Sequence, residues 1–254
     1  MEIIIQSNAT AAAEAMAGVI ATALRAKPSL VLGLAAGNTM EPVYARLRRW
    51  HGEEGLDFSQ CRTFNLDEYV GLSREDPNSY FTYMRRQLFD EVHVDPSRVH
   101  LPDGTAGDLE KECANYEVMI QSCGGIDLQM LGIGHTGHLG FNEPPAASDS
   151  RTRVQELSQV TREQNARLFA DPSRIPRFAI TVGIGTILES RRCCLLATGE
   201  GKAEIVAKAV AGPVSETVPA SFLQLHPNCT IILDRAAASQ CPPNLNLKVR
   251  AASG

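Results

Sequence analysis

Apolar residues along this chain gather into short, nearly unbroken runs at residues 2–6, 30–34, 62–66, 126–133, 178–182, 193–198 and 230–233. Runs of that length with little alternation suit β-strands covered on both faces. Between them, apolar positions recur every three or four residues at 11–25, 41–50, 79–92, 108–121, 162–169 and 202–211. That spacing predicts helices with one buried stripe. Alternation of the two patterns predicts an α/β protein, a three-layer αβα sandwich around a mostly parallel, Rossmann-like sheet. No repeat or low-complexity linker interrupts the pattern. Pro102-Asp103-Gly104 and Asp171-Pro172-Ser173 read as turns. Residues 236–254 are small and polar, with Pro242-Pro243, and are expected to form a loosely attached tail.

Composition narrows the class. The chain has 254 residues, 44% hydrophobic and 21% charged, enough to bury a sizeable core without covalent staples. No apolar run approaches the roughly 18 residues of a membrane helix. Met1-Glu2-Ile3-Ile4-Ile5 lacks a basic segment ahead of its apolar run, so it reads as a first strand and not as a signal peptide. Seven cysteines without a Cys-x-x-Cys spacing read as free thiols in a reducing, cytoplasmic setting, with no zinc site. A net charge of −5 argues against nucleic acid as a partner. It also makes isolated basic residues at loop ends more telling.

The candidate chemistry sits where strands run into glycine-rich loops. Leu128–Leu131 leads into Gly132-Ile133-Gly134-His135-Thr136-Gly137-His138-Leu139-Gly140-Phe141-Asn142-Glu143-Pro144. Beyond the carboxyl ends of strands is where open α/β sheets bind ligands. A histidine there can exchange protons near neutral pH, and a nearby carboxylate can tune it. Leu34-Ala35-Ala36-Gly37-Asn38-Thr39 is a second strand-to-helix loop, suited to approach an anion through backbone N–H groups. It is neither a Walker A loop nor a Gly-x-Gly-x-x-Gly fingerprint. Gly199-Glu200-Gly201-Lys202 opens a late helix. A lysine in a first turn opposes the helix dipole, which suggests that Lys202 faces an anion. Asp67 and Glu68 close a strand and should point to opposite faces, so one of them is expected to reach a substrate. His226 is expected to pack or cap, and His135 to be a surface residue.

These blocks resemble the glucosamine-6-phosphate deaminase (isomerising) family. The resemblance runs from about residue 2 to 234. It is carried most specifically by Phe64-Asn65-Leu66-Asp67-Glu68-Tyr69-Val70-Gly71 and by Gly137-His138-Leu139-Gly140-Phe141-Asn142-Glu143-Pro144. It implies one deaminase domain over 1–235 that converts an amino-sugar 6-phosphate to fructose 6-phosphate and ammonia. By that resemblance Asp67 moves a proton between C2 and C1, while Glu68 is structural. His138 opens the sugar ring, aided by Glu143. Thr136 stands where the family usually has an acid or an amide. Gly37, Asn38, Thr39, Arg167 and Lys202 hold the phosphate, Arg167 on the family's lid segment, although Ala36 and Asn38 replace its usual Thr and Gly. No metal or cofactor is implied, and the partner is a small amino-sugar phosphate, with no membrane and a possible homo-oligomer. A galactosamine-6-phosphate deaminase/isomerase and a non-enzymatic sugar-phosphate sensor remain as alternatives. The sensor reading lacks a DNA-binding segment and would not need the acid–base set. A gluconolactonase would share a Gly-His loop but not the Phe-Asn-Glu-Pro ending. In regulated members an effector binds just after Glu143. Arg153 matches a basic position there, whereas Gln155 replaces a lysine, and Ala146 and Ala147 replace two serines. Hyperbolic kinetics are therefore expected.

Overall fold

The computed structural model describes residues 1–166, 169, 171–243 and 247–248. Eight parallel strands form the main sheet: β1 (Glu2–Gln6), β2 (Val31–Leu34), β3 (Arg62–Asn65), β5 (Val99–His100), β6 (Leu128–Leu131), β9 (Cys193–Ala197), β10 (Cys229–Asp234) and β11 (Leu247–Lys248). Their order across the sheet is β11, β1, β10, β9, β6, β2, β3, β5. The central strands β2, β6, β9 and β10 are buried along their whole length. That accounts for their unbroken apolar runs, because both faces are covered.

The covering helices are α1 (Ala9–Ala26), α2 (Glu41–Glu54), α3 (Tyr80–Met84), α4 (Leu109–Ser122), α6 (Ile184–Leu188) and α7 (Ala203–Ala211). The steps from β1 to β2, β3 and β5 all run one way across the sheet; those from β5 to β6, β9 and β10 run the other way. Right-handed crossovers therefore put α1, α2 and α3 on one face and α4, α6 and α7 on the opposite face. Phe64 of β3 meets Tyr116 of α4 edge-on, ring centroids 5.7 Å apart. The direction of travel reverses between β2 and β6, which pair Leu32 with Leu128 and Gly33 with Gln129. A reversal of this kind opens a crevice above the strand ends. Both glycine-rich loops singled out in the sequence rise from these two strands.

A second sheet has three antiparallel strands in the order β4 (Asp67–Tyr69), β8 (Phe178–Thr181), β7 (Arg153–Glu156). Residues 178–181 of the expected 178–182 run are strand, but β8 belongs to this small sheet and not to the parallel one. The 62–66 run likewise continues past Leu66 into β4, so Asp67 begins a strand rather than ending one. The small sheet has its own apolar cluster of Tyr69, Phe141, Leu157, Phe169 and Ala179.

Other departures are local. The 79–92 helix is α-helical only through Met84, then continues as a π-helix over Arg85–Phe89. The helix expected at 162–169 is α5 (Gln159–Ala166), starting three residues earlier. Ser158 caps it, its Oγ accepting from Thr161 N. In the 236–254 segment, Ala237 is buried and β11 lies beside β1. Among the described residues no helix is long and apolar enough to cross a membrane. All seven cysteines are free.

Candidate active site

The carboxyl ends of four adjacent strands, β3, β2, β6 and β9, deliver the residues singled out in the sequence. β3 passes through Leu66 into Asp67. Leu66 itself is locked in the main core, its N–H donating to Leu34 O at 3.0 Å. Asp67 is buried, and burial pushes its carboxyl up to about 8, with the neighbouring Glu68 charge adding to the rise. Glu68 points the other way. It accepts from the backbone N–H groups of Tyr69, Tyr80 and Phe81, each at 2.9 Å, and so holds the start of α3. Burial pushes Glu68 up to about 7 against those three donors. Of the pair, Asp67 is the one left with the proton.

The loop after β6 wraps around these groups. A tight turn joins Gly134 N to His138 O at 3.0 Å and Gly137 N to Gly134 O at 3.0 Å. The His138 ring lies over Gly134 so closely that a Cβ there would fall 2.0 Å from its Nε2. His138 Nδ1 stands 2.9 Å from Thr136 Oγ1 and 3.5 Å from Glu143 Oε2. The carboxylate faces Nδ1, an arrangement that favours the tautomer with its proton on that nitrogen. Glu143 is buried, and Ser158 donates to its Oε1 through N at 3.4 Å and Oγ at 3.2 Å. Burial raises the Glu143 carboxyl, yet the contacts from His138, Thr161 and Ser158 outweigh it and hold the group below its ordinary range. Glu143 is therefore an anion beside the imidazole.

Gly140 brings the same loop against Asp67. It has φ +56°, and a Cβ on it would stand 3.0 Å from Asp67 Oδ2 and 3.0 Å from Thr181 Oγ1. Thr181 Oγ1 accepts from Phe141 N at 3.0 Å, pinning the loop to β8. Asp67 and His138 thus stand on two sides of one glycine-rich turn.

The loop after β2 adjoins this turn, since a Cβ on Gly132 would meet Met40 Cε at 3.2 Å. Gly37 has φ +128°, a conformation that L side chains rarely adopt. Its carbonyl accepts from Tyr83 Oη at 2.9 Å and from Met40 N at 2.9 Å, just ahead of α2. Asn38 is exposed and Thr39 half-buried beside it.

After β9, Gly199 N donates to both oxygens of Asp234 at 3.1 Å. Residues Glu200–Lys202 form a 3-10 turn that leads into α7. Lys202 lies at the helix cap rather than inside the first turn, and it reaches into the site. Its Nζ donates to Ile133 O at 2.8 Å and stands 3.4 Å from His135 Nδ1. Burial lowers the ammonium to about 8, and among the described residues no carboxylate lies within ion-pair distance of it. A half-buried cation without a counter-charge is suited to meet an anion. Arg167 lies outside the described residues.

Four contributors were not legible in the sequence: Ser158 and Thr161 behind Glu143, Thr181 behind the Gly140 turn, and His135 beside Lys202. Thr161 alone left a signal, a hydroxyl just ahead of the helical stretch expected at 162–169. His226 packs as expected, with Nε2 2.7 Å from Ser190 O and Nδ1 accepting from Asn228 N at 3.1 Å. A cavity of about 320 Å³ near Lys27, Arg62 and Arg98 opens at the amino edge of the sheet, away from these groups.

The family described as glucosamine-6-phosphate isomerases/6-phosphogluconolactonase matches residues 5–232. The chain belongs to this family. A glucosamine-6-phosphate deaminase of Rhodopirellula baltica is 52% identical over 239 residues, covering 94% of this chain and 95% of that protein. A solved structure of a monomeric glucosamine-6-phosphate deaminase has TM-score 0.92 at 45% identity, covering 94% of this chain and 100% of the other. The 6-phosphogluconolactonase of Trypanosoma brucei shares the fold at 20% identity, with TM-score 0.76 and coverage of 95% and 98%. Across this glucosamine-6-phosphate isomerase/6-phosphogluconolactonase family the sheet is therefore shared, and the chemistry must be read from the groups at its strand ends.

Proposed function

We propose that this chain is a glucosamine-6-phosphate deaminase, converting its substrate and water to fructose 6-phosphate and ammonia. The carrying observation is the pairing of a buried acid–base, Asp67, with a carboxylate-held histidine, His138, across one glycine turn. A lactonase needs only to activate water at an ester. An isomerising deaminase needs one group to open the ring and another to carry a proton between two carbons. The 52% and 45% identities to glucosamine-6-phosphate deaminases support the same choice over the 20% identity to the lactonase.

In this reading the phosphate sits between Lys202 and the Gly37–Thr39 loop, where the start of α2 adds partial positive charge. Arg167 is proposed as a second cation there. Charge-assisted bonds to the phosphate would fix the sugar's register. His138 Nε2 then relays the proton from the C1 hydroxyl to O5 as the C1–O5 bond breaks. Glu143 and Thr136 hold the imidazole and stabilise its charged form. The free C1 aldehyde acidifies C2. Asp67 takes the C2 proton as a proton passes from the substrate's ammonium to O1, giving an enolamine, and returns its proton to C1. The C2 iminium that results adds water and expels ammonia, leaving the C2 ketone. Asp67's high pKa suits a group that must both accept and return a proton. The substrate's ammonium brings a positive charge that favours the ionised carboxylate when it is needed. The free thiols support a reducing compartment such as the cytoplasm.

The deciding assay is ammonia release from 6-phosphorylated glucosamine, galactosamine and mannosamine. The expected result is turnover of the gluco compound. Failure to release ammonia from any of the three would overturn the reading.

A further inference from the structure

We infer that His135 is a proton-gated ligand for the substrate phosphate, completing the anion site that Lys202 begins; this rests on the phosphate-binding reading of Lys202 given above. His135 lies in the same loop as His138 and stands beside Lys202. Lys202 Nζ is anchored on Ile133 O at 2.8 Å and presents another N–H to His135 Nδ1 at 3.4 Å. An ammonium can face an imidazole nitrogen at that distance only if the nitrogen offers a lone pair. An Nδ1 that accepts from Lys202 carries the ring proton on Nε2. From α5, Gln164 lies within hydrogen-bonding reach of the ring. Among the described residues, the charged or titratable groups acting on His135 are Lys202 from the turn before α7 and His138 from its own loop. Its partial burial, first of all, and then both of these charges hold the imidazole below its ordinary range.

A phosphate dianion reverses that balance. Lys202 and the proposed second cation, Arg167, meet its charge but leave oxygen lone pairs open to a further donor. The titratable group 3.4 Å from Lys202 can supply that donor by taking a proton from solvent, whereupon Nδ1 turns from acceptor to donor. The exchange is complete in itself: one proton leaves water, one N–H bond forms, and the phosphate gains a charge-assisted hydrogen bond. By linkage, the contribution of His135 to affinity must grow as pH falls. His135 is exposed, so replacing it leaves the core intact.

Glucitol 6-phosphate is a suitable probe, since it has no carbonyl and cannot react. Its dissociation constant would be measured by calorimetry from pH 6 to pH 8.5 for the wild type and for His135→Gln, which keeps a polar side chain but cannot titrate. The expected ratio of variant to wild type is about tenfold at pH 6, the size of one charge-assisted hydrogen bond. It should fall to about one at pH 8.5, where the imidazole no longer gains a proton. Taking this ratio cancels the titrations of the phosphate and of Lys202, which both proteins share. A ratio that does not change with pH, or a wild type that fails to bind the probe at pH 6, overturns the inference. Because the probe is inert, the outcome is separate from the ammonia assay: absence of turnover sinks the deaminase reading, and a flat ratio sinks the role of His135.

Discussion

A side chain at Gly140 would run into the carboxylate of Asp67: its Cβ would stand 3.0 Å from Oδ2, on a backbone with φ +56°. Space and conformation both reserve this position for glycine. Gly140→Ala is expected to push the turn off Asp67. It should lower kcat on the order of tenfold to a hundredfold, the usual effect of displacing reacting groups by about an ångström. Gly134→Ala should do the same through His138, whose ring occupies the space that a Cβ would need. Steady-state rates, with circular dichroism to confirm folding, check both. Wild-type rates in either variant would show that the turn does not set the catalytic geometry.

Asp67→Asn should separate activity from stability. Loss of a required acid–base is expected to cost on the order of 10²–10⁴ in turnover, with sugar-phosphate binding retained. Stability should move the opposite way. The folded state holds a proton on Asp67 up to about pH 8, whereas the unfolded chain releases it near its ordinary value of 3.8. Between those pH values the folded state binds more protons, so stability falls as pH rises. Asparagine removes that loss. Thermal unfolding at pH 8 should show the variant above the wild type by roughly 2–4 °C for each kcal/mol recovered. At pH 4 the two should converge.

The pH dependence of kcat/KM should be a bell centred near pH 8. Asp67 must lose its proton, which gives a limb rising toward about 8, and Lys202 must keep its own, which gives a limb falling above about 8. Lys202→Arg keeps the charge at all accessible pH and should displace the alkaline limb upward while leaving the acid limb in place. An unmoved alkaline limb would assign that titration to another group.

Lys202→Ala and Arg167→Ala should each weaken binding of phosphorylated sugars by about 1.5–3 kcal/mol, and leave the unphosphorylated amino sugar unaffected. Competition binding with paired ligands reads this directly. Equal losses for the two ligands would remove both residues from the phosphate site.

Regulation by an acetylated sugar phosphate is not expected. The Arg153 guanidinium is committed inside the fold, donating to Asn142 Oδ1 at 2.8 Å and Gln155 Oε1 at 3.0 Å. Ala146 is buried and offers no hydroxyl. A ligand shifts a conformational equilibrium only through differential affinity, and these side chains offer little to bind. Rates should follow a hyperbola with or without N-acetylglucosamine 6-phosphate. A sigmoid that the compound converts to a hyperbola would contradict this.

How much could be read from the chain alone depended on whether the signal was local. The buried strands announced themselves because unbroken apolar runs are a local consequence of being covered on both faces. The loops after β2, β6 and β9 were visible for the same reason, each being a glycine-rich break after such a run. The split of 62–69 into two strands in two sheets was not visible, because Leu66 and Asp67 are adjacent in sequence and part company only through pairing with Leu34 and Thr181. β7 was missed since Arg153–Glu156 is polar and only half-buried. His135 is exposed, as the sequence suggested, but its contact with Lys202 was not visible because it spans 67 positions in the chain. Glu68 and Asp67 were assigned opposite faces from strand alternation and the family resemblance, and the three N–H bonds to Glu68 give that division a physical cause.

The small antiparallel sheet has a consequence for how the molecule breathes. Its apolar cluster of Tyr69, Phe141, Leu157, Phe169 and Ala179 is separate from the main core and far smaller. A unit with so little buried area opens at lower free energy than the eight-stranded sheet beneath it. Asp67 sits on its seam, one residue past Leu66, which the large core holds fast. Amide hydrogen exchange should therefore split between Leu66 and Tyr69, with the small sheet exchanging as a block while β2, β6 and β9 stay protected. The acid–base would then ride on a hinge one peptide long, its carbon backbone anchored on one side and free to open on the other.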